Sequence, residues 1–136
     1  MKRTPLEFFH HHGGVSVPDL EASIRWYAEV LDFEVERRFD IPAIPAKVAM
    51  IRRGPLRIEL FEVPGAAPLP ADRRQPNLDV RTHGNKHVAF AVANVDTFAE
   101  ELKQRGADIV FVAHHPFGSN IFIRDNTGNL IEFVQE

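Results

Sequence analysis

The sequence contains no cysteine, which excludes a disulfide framework and thiolate metal chemistry, so any metal has to be held by imidazole and carboxylate groups. Net charge is equally scant. The formal charge is −3 at pH 7, and the basic residues are scattered rather than banded, so the electrostatic footprint that nucleic acid or an anionic membrane needs is missing. No apolar run approaches the roughly 20 residues of a membrane-spanning helix. Nor does one follow Met1-Lys2-Arg3 before the polar His10-His11-His12-Gly13-Gly14 segment, so a secretory leader is not expected and the chain reads as cytoplasmic. These absences leave a small molecule as the expected partner, with neither nucleic acid nor membrane.

What is present is a single-domain length of 136 residues with 44% hydrophobic and 26% charged residues, ordinary for a soluble globular fold. It is also long enough for two small halves that share a core. The chain does repeat internally. Val15 and Val17 read as a strand, Pro18 as a turn, and Asp19 as the cap of a helix carrying Leu20, Ile24, Tyr27 and Leu31 at helical spacing. The same pattern restarts at His87, with Val88, Phe90 and Val92 alternating, Asn94 in the place of Asp19, and a helix through Val95, Phe98 and Leu102 that Gly106 closes. Three strand-like runs follow each helix, at about 33–40, 46–53 and 55–63 and at about 108–114, 119–124 and 129–135. The last of them repeat visibly, Leu56-Arg57-Ile58-Glu59-Leu60-Phe61-Glu62 against Asn129-Leu130-Ile131-Glu132-Phe133-Val134-Gln135. The expected fold is therefore α+β, two tandem βαβββ modules within one domain over 1–136. Module one spans about 8–63 and module two about 87–136. Between them, about 64–86 is a linker or lid containing Pro64, Pro68, Pro70 and Pro76.

Each module opens on a histidine and closes on a glutamate. Positions 12 and 59 are 47 apart, and positions 87 and 132 are 45 apart. The first and last strands of a four-stranded module can lie close together, so each half can present one imidazole and one carboxylate, and the two halves together four ligands. Alternation supports this, because Ile58 and Leu60 flank Glu59 while Ile131 and Phe133 flank Glu132, turning both carboxylates away from the apolar face. Two imidazoles and two carboxylates suit one divalent ion, Zn, Ni, Co, Mn or Fe, with positions left for water or substrate. The ordinary alternative is a solvated glutamate and a structural histidine at each place; recurrence in register favours the ligand set.

Several residues tie the chain to a known family: His12-Gly13-Gly14-Val15-Ser16-Val17-Pro18-Asp19-Leu20 with Trp26, Tyr27 and Leu31, then Ile58-Glu59-Leu60, His87-Val88-Ala89-Phe90-Ala91-Val92, and Arg124-Asp125-Asn126-Thr127-Gly128-Asn129-Leu130-Ile131-Glu132. In these the sequence resembles the vicinal oxygen chelate, or glyoxalase/bleomycin resistance/dioxygenase, superfamily over nearly its whole length. The resemblance implies an incomplete barrel of two βαβββ modules around one metal ion, with ligands at His12, Glu59, His87 and Glu132. It also implies a homodimer, with the four ligands drawn from one chain or shared between two.

The function so implied is a glyoxalase-like lyase or isomerase, or an epimerase, acting through a metal-bound enediolate or enolate. Glu132 is the expected base and Glu59 the second. The runner-up is a non-haem Fe(II) ring-cleaving dioxygenase using His12, His87 and Glu132. A metal-free binding or resistance protein is the third reading, and it leaves the four residues in register unexplained. Other polar residues are read more plainly. His10 shares a face with His12 by alternation and is a competing ligand or a partner of the ligand. His114 and His115 precede Pro116 as either a loop entry or a substrate contact. His83, Arg52-Arg53 and Arg73-Arg74 read as surface, and Asp125-Asn126-Thr127-Gly128 as a structural turn.

Overall fold

A computed structural model describes residues 1–136. Module one runs β1 (Gly13–Ser16), α1 (Leu20–Leu31), β2 (Glu34–Ile41), β3 (Ala46–Arg53) and β4 (Leu56–Glu62). Module two runs β5 (Val88–Val92), α3 (Val95–Gln104), β6 (Asp108–His115), β7 (Gly118–Arg124) and β8 (Leu130–Gln135). A short helix α2 (Pro76–Asp79) lies between them, preceded by a single 3-10 turn at Ala71–Arg74. The sheets are ordered β1-β4-β3-β2 and β5-β8-β7-β6, so the repeat legible in the sequence is a repeat of topology.

The reason each module closes in this way is visible at the helix starts. Asp19 accepts a hydrogen bond from the Ala22 amide at 3.0 Å and Asn94 one from Thr97 at 2.9 Å. A second cap comes from the end of the last strand. Glu62 Oε1 accepts from the Leu20 amide and Gln135 Oε1 from the Val95 amide, both at 2.9 Å. These side chains tie β4 and β8 to the helix that follows their parallel neighbour, β1 or β5, and so fix which strands pair. Each module also carries a register shift at the same place, Val35/Arg37 in β2 and Ile109/Phe111 in β6. Such a bulge resets the alternation of the edge strand, leaving Ile109 and Val112 against the core while Phe111 joins Phe122 on the other face.

The helix-covered faces of both sheets merge into one core that includes Val17, Tyr27, Phe33, Ile58, Leu60, Val95, Leu102, Ile121, Ile131 and Phe133. Specific contacts set how the modules meet. The Phe33 and Phe90 rings lie 6.2 Å apart, Arg105 donates to the Val30 carbonyl and Asp32 carboxylate, and Ser23 donates to Asn126. Tyr27, 1% exposed, donates its hydroxyl to Asp125 Oδ2 at 2.9 Å. Burial, reinforced by that carboxylate, holds the Tyr27 hydroxyl well above its ordinary pKa and keeps it a donor. Asp125 in turn accepts from Thr127 and Asn129, so the Asp-x-x-Gly-Asn turn is a structural hub facing the first helix of the other module.

The 64–86 stretch is tied down by polar contacts as a strap. Asp79, 3% exposed, accepts from Arg73 Nε at 3.0 Å and Lys86 Nζ at 3.3 Å, while Lys86 also reaches the backbone carbonyls of Asp79 and Thr82. Arg124 donates to the Arg74 carbonyl at 2.7 Å. Gly128 is confined by the same arginine, since a Cβ there would sit 2.9 Å from Arg74 Cδ. Burial pushes the Asp79 carboxyl up, but Arg73 and Lys86 together outweigh it and leave its pKa below the ordinary 3.8. A depressed carboxylate pKa contributes stability at pH values above the ordinary one, lost as pH falls through the folded value. Asp79→Asn is therefore expected to lower stability at neutral pH by about 1–3 kcal/mol, measured by denaturant unfolding, with the gap from the unaltered chain closing below pH 4 or so.

Candidate metal centre

Each histidine meets its glutamate. His12 lies in the segment entering β1, and Gly14 of β1 is paired with Glu59 of β4, which brings His12 Nε2 to 3.3 Å from Glu59 Oε1. His87 precedes β5 in the same way, Ala89 is paired with Glu132 of β8, and His87 Nε2 lies 3.2 Å from Glu132 Oε1. The side chains are partly open, 33% and 17% exposed in the first pair and 24% and 18% in the second. They are accessible without being free to wander. The His87 ring stands edge-on to Phe122 at 4.8 Å, and Phe111 packs on Phe122 from β6 at 5.3 Å.

These separations fit adjacent ligands on one ion. Two metal–ligand bonds of about 2.0–2.2 Å meeting at about 100° put their donor atoms roughly 3.2 Å apart. The donor set suits a borderline or hard divalent ion.

The two pairs do not meet within one chain: no cluster of three or more His, Asp or Glu side chains able to hold a metal forms. The physical reason is the shared core. Ile58, Leu60, Ile131 and Phe133 all point into it, so Glu59 and Glu132, one residue away in alternating strands, are directed to the opposite faces of the two sheets. Within one chain, each module thus presents its own imidazole–carboxylate pair.

The other histidines sort clearly. Residues 10–12 lie outside β1, so strand alternation does not place His10 beside His12. The neighbour is His11, whose Nδ1 is 2.6 Å from His12 Nδ1. One of those nitrogens carries the hydrogen; when it is His12 Nδ1, the neutral ring keeps Nε2 as the lone pair a metal ion needs. His114 is held away from the centre by Ser119 at 2.9 Å and Asp96 at 3.0 Å. His115 stacks on exposed Phe117 at the β6–β7 turn, and His83 is exposed. Arg52 lies 3.7 Å from Glu36, a residue that Arg57 also pairs with. Arg73 and Arg74 serve the strap.

One residue of this centre is not signalled by the His/Glu repeat. Asn120 Nδ2 donates to Glu132 Oε2 at 2.8 Å, while its Oδ1 is buried and accepts nothing from the chain. An amide oxygen so placed costs about 1–3 kcal/mol, so the position is not one that folding alone favours. The signal that reveals it is alternation in β7, where Asn120 and Phe122 share a face against Ile121 and Ile123.

The model of the Glyoxalase/Bleomycin resistance protein/Dioxygenase superfamily matches residues 9–133. The chain belongs to this superfamily. Among its relatives, a 2-epi-5-epi-valiolone epimerase from Actinomyces sp. is 34% identical over 108 residues, which is 68% of this chain and 56% of the epimerase. The chain thus spans a little over half the length of that relative. A glyoxalase family protein from Enterococcus faecalis shares the fold at a TM-score of 0.78 and 22% identity, covering 93% of this chain and 97% of the other. A glyoxylase/bleomycin resistance protein/dioxygenase domain from Frankia sp. EAN1pec aligns at a TM-score of 0.75 and 27% identity, covering 96% and 93%. The repeated topology is the fold of the superfamily, and no helix of this member is long and apolar enough to cross a membrane.

Proposed function

We propose that this superfamily member is a divalent-metal-dependent epimerase or isomerase that removes and returns a proton at a carbon beside a substrate carbonyl. The site is completed by a second copy of the chain. The observation that carries this is the pair of equivalent half-sites, His12 with Glu59 at 3.3 Å and His87 with Glu132 at 3.2 Å, on faces that the shared core keeps apart. In a two-fold dimer the module-one half-site of one copy can face the module-two half-site of its partner, giving two equal centres. His12, Glu59, His87 and Glu132 would hold the ion. When bound, it supplies Lewis acidity to a substrate oxygen and so favours loss of the neighbouring proton.

The chain's own groups then do the rest. Glu59 and Glu132 are the carboxylates able to accept the proton from carbon and give it back. Return to the opposite side of the same carbon inverts it, whereas return to a neighbouring carbon moves the carbonyl. Phe122 and Phe111 form an apolar wall beside His87 that keeps bulk water from the carbon. Relatedness to an epimerase supports the inverting version. The place of Glu59, against His12, weighs against a ring-cleaving dioxygenase, whose two-His, one-carboxylate triad would leave Glu59 outside the set.

The test is metal analysis of protein purified without chelator or oxygen, followed by incubation in deuterium oxide with hydroxy ketones, dicarbonyl hemithioacetals and acyl thioesters. About one ion per chain and deuterium uptake at the carbon beside the carbonyl are expected. Oxygen consumption with catechols, and no exchange in that panel, would replace the proposal by the dioxygenase.

A further inference from the structure

The two half-sites repeat in topology but differ in the side chains that flank the glutamate. In module one Met50 lies across from Glu59, and Val48 is two residues before it on the same face of β3. In module two Phe122 lies across from Glu132, and Asn120 is two residues before it on the same face of β7. Asn120 therefore occupies the position that Val48 occupies in the other half. Only the second glutamate has an amide beside it.

That difference changes what each carboxylate can do. Glu132 is engaged at both oxygens, Oε1 with His87 at 3.2 Å and Oε2 with Asn120 at 2.8 Å. An ionised carboxylate offers acceptors alone, so the Asn120 amide must present its NH₂ to it, and that fixes Oδ1 as the atom left without a partner. Glu59 meets His12 through Oε1, and no hydrogen bond of the chain reaches its Oε2. A carboxylate tied at both ends keeps its orientation. One tied at a single end can turn about its side-chain bonds toward a substrate carbon.

We infer that Asn120 is a positioning residue that locks Glu132 as a permanent ligand and thereby leaves Glu59 as the group that takes the proton. This rests on the proposed metal-dependent proton transfer and reverses the order of the two glutamates that the sequence resemblance implies. Asn120 touches neither ion nor substrate and acts through Glu132. An unpartnered buried amide oxygen is what a residue kept for positioning, at some cost to folding, is expected to show.

The test uses Co²⁺ binding to the full-length protein, followed by calorimetry and by the visible absorption of the ion, beside thermal unfolding of the metal-free protein. Asn120→Val installs the side chain of the other half at this register. It is expected to unfold at the same temperature as the unaltered protein or higher, yet bind Co²⁺ about 10–100-fold more weakly with a changed absorption band. Glu132→Gln should weaken binding at least as much, and adding Asn120→Val to it should change little further, because the amide has lost its charged partner. Glu59→Gln should keep Co²⁺ to within about tenfold while losing deuterium exchange at the substrate carbon. Co²⁺ binding unchanged in Asn120→Val, or an equal loss in Glu59→Gln and Glu132→Gln, overturns the inference and leaves the metal-dependent reading standing. Failure of the unaltered protein to bind Co²⁺ overturns both.

Discussion

Two inactive variants, mixed, are expected to regain about a quarter of the metal content and activity of the unaltered protein. One carries His12→Ala and Glu59→Ala, the other His87→Ala and Glu132→Ala. On the proposed two-fold site, each alone would form dimers in which every composite site is missing one half. After unfolding and refolding together, half of the dimers pair one variant with the other. In such a dimer one site unites the two damaged halves and the second unites the two intact ones, so one site in four across the mixture is whole. No gain on mixing is the result expected of a site contained in one chain. That outcome would require the modules to separate from the arrangement held by Tyr27 and Asp125, Ser23 and Asn126, and Arg105 and Asp32.

Removing a single ligand gives the second large effect. His87→Ala or Glu132→Ala is expected to lower affinity for a divalent ion by about 100-fold or more, since each leaves its half-site with a lone donor. The fold should notice His87→Ala little: the His87 side chain is 24% exposed and belongs to no part of the apolar core, so metal-free unfolding should change by less than about 1 kcal/mol. Glu132→Ala also takes the acceptor from the Asn120 amide and is expected to cost about 1–3 kcal/mol. Elemental analysis and denaturant titration on the same samples separate the two quantities. Stoichiometric metal in both variants would show that the ion sits elsewhere.

The sequence carries a great deal of this protein because much of its structure is local. Alternation in Leu56–Glu62 and Leu130–Gln135 assigns one face to the core and the other to Glu59 and Glu132, whatever the strands pair with. Asp19 and Asn94 start helices through their own side-chain oxygens, and Gly106, at φ 77°, ends one because that angle suits glycine. The predicted strands agree with the observed ones to within a residue at each end. Capping of α1 and α3 by Glu62 and Gln135 was also written there, in the echo of the two last strands, but it becomes readable as a hydrogen bond only once parallel pairing puts strand end beside helix start.

By itself, then, the sequence determined two βαβββ repeats, the His/Glu pair in each, and membership of a superfamily. Period-two and helical patterns are properties of short segments, and turn chemistry acts over a few residues. Only the tertiary structure decided how the repeats meet. The core joins their helix-covered faces through Tyr27, Phe33, Phe90 and Asp125, residues that are far apart in the chain and bear no periodic signature of that contact. That packing turns the two His/Glu pairs to separate faces of the chain. The pairing of Asn120 with Glu132 is tertiary for the same reason, because register between β7 and β8, and not distance along the chain, sets which side chains share a face.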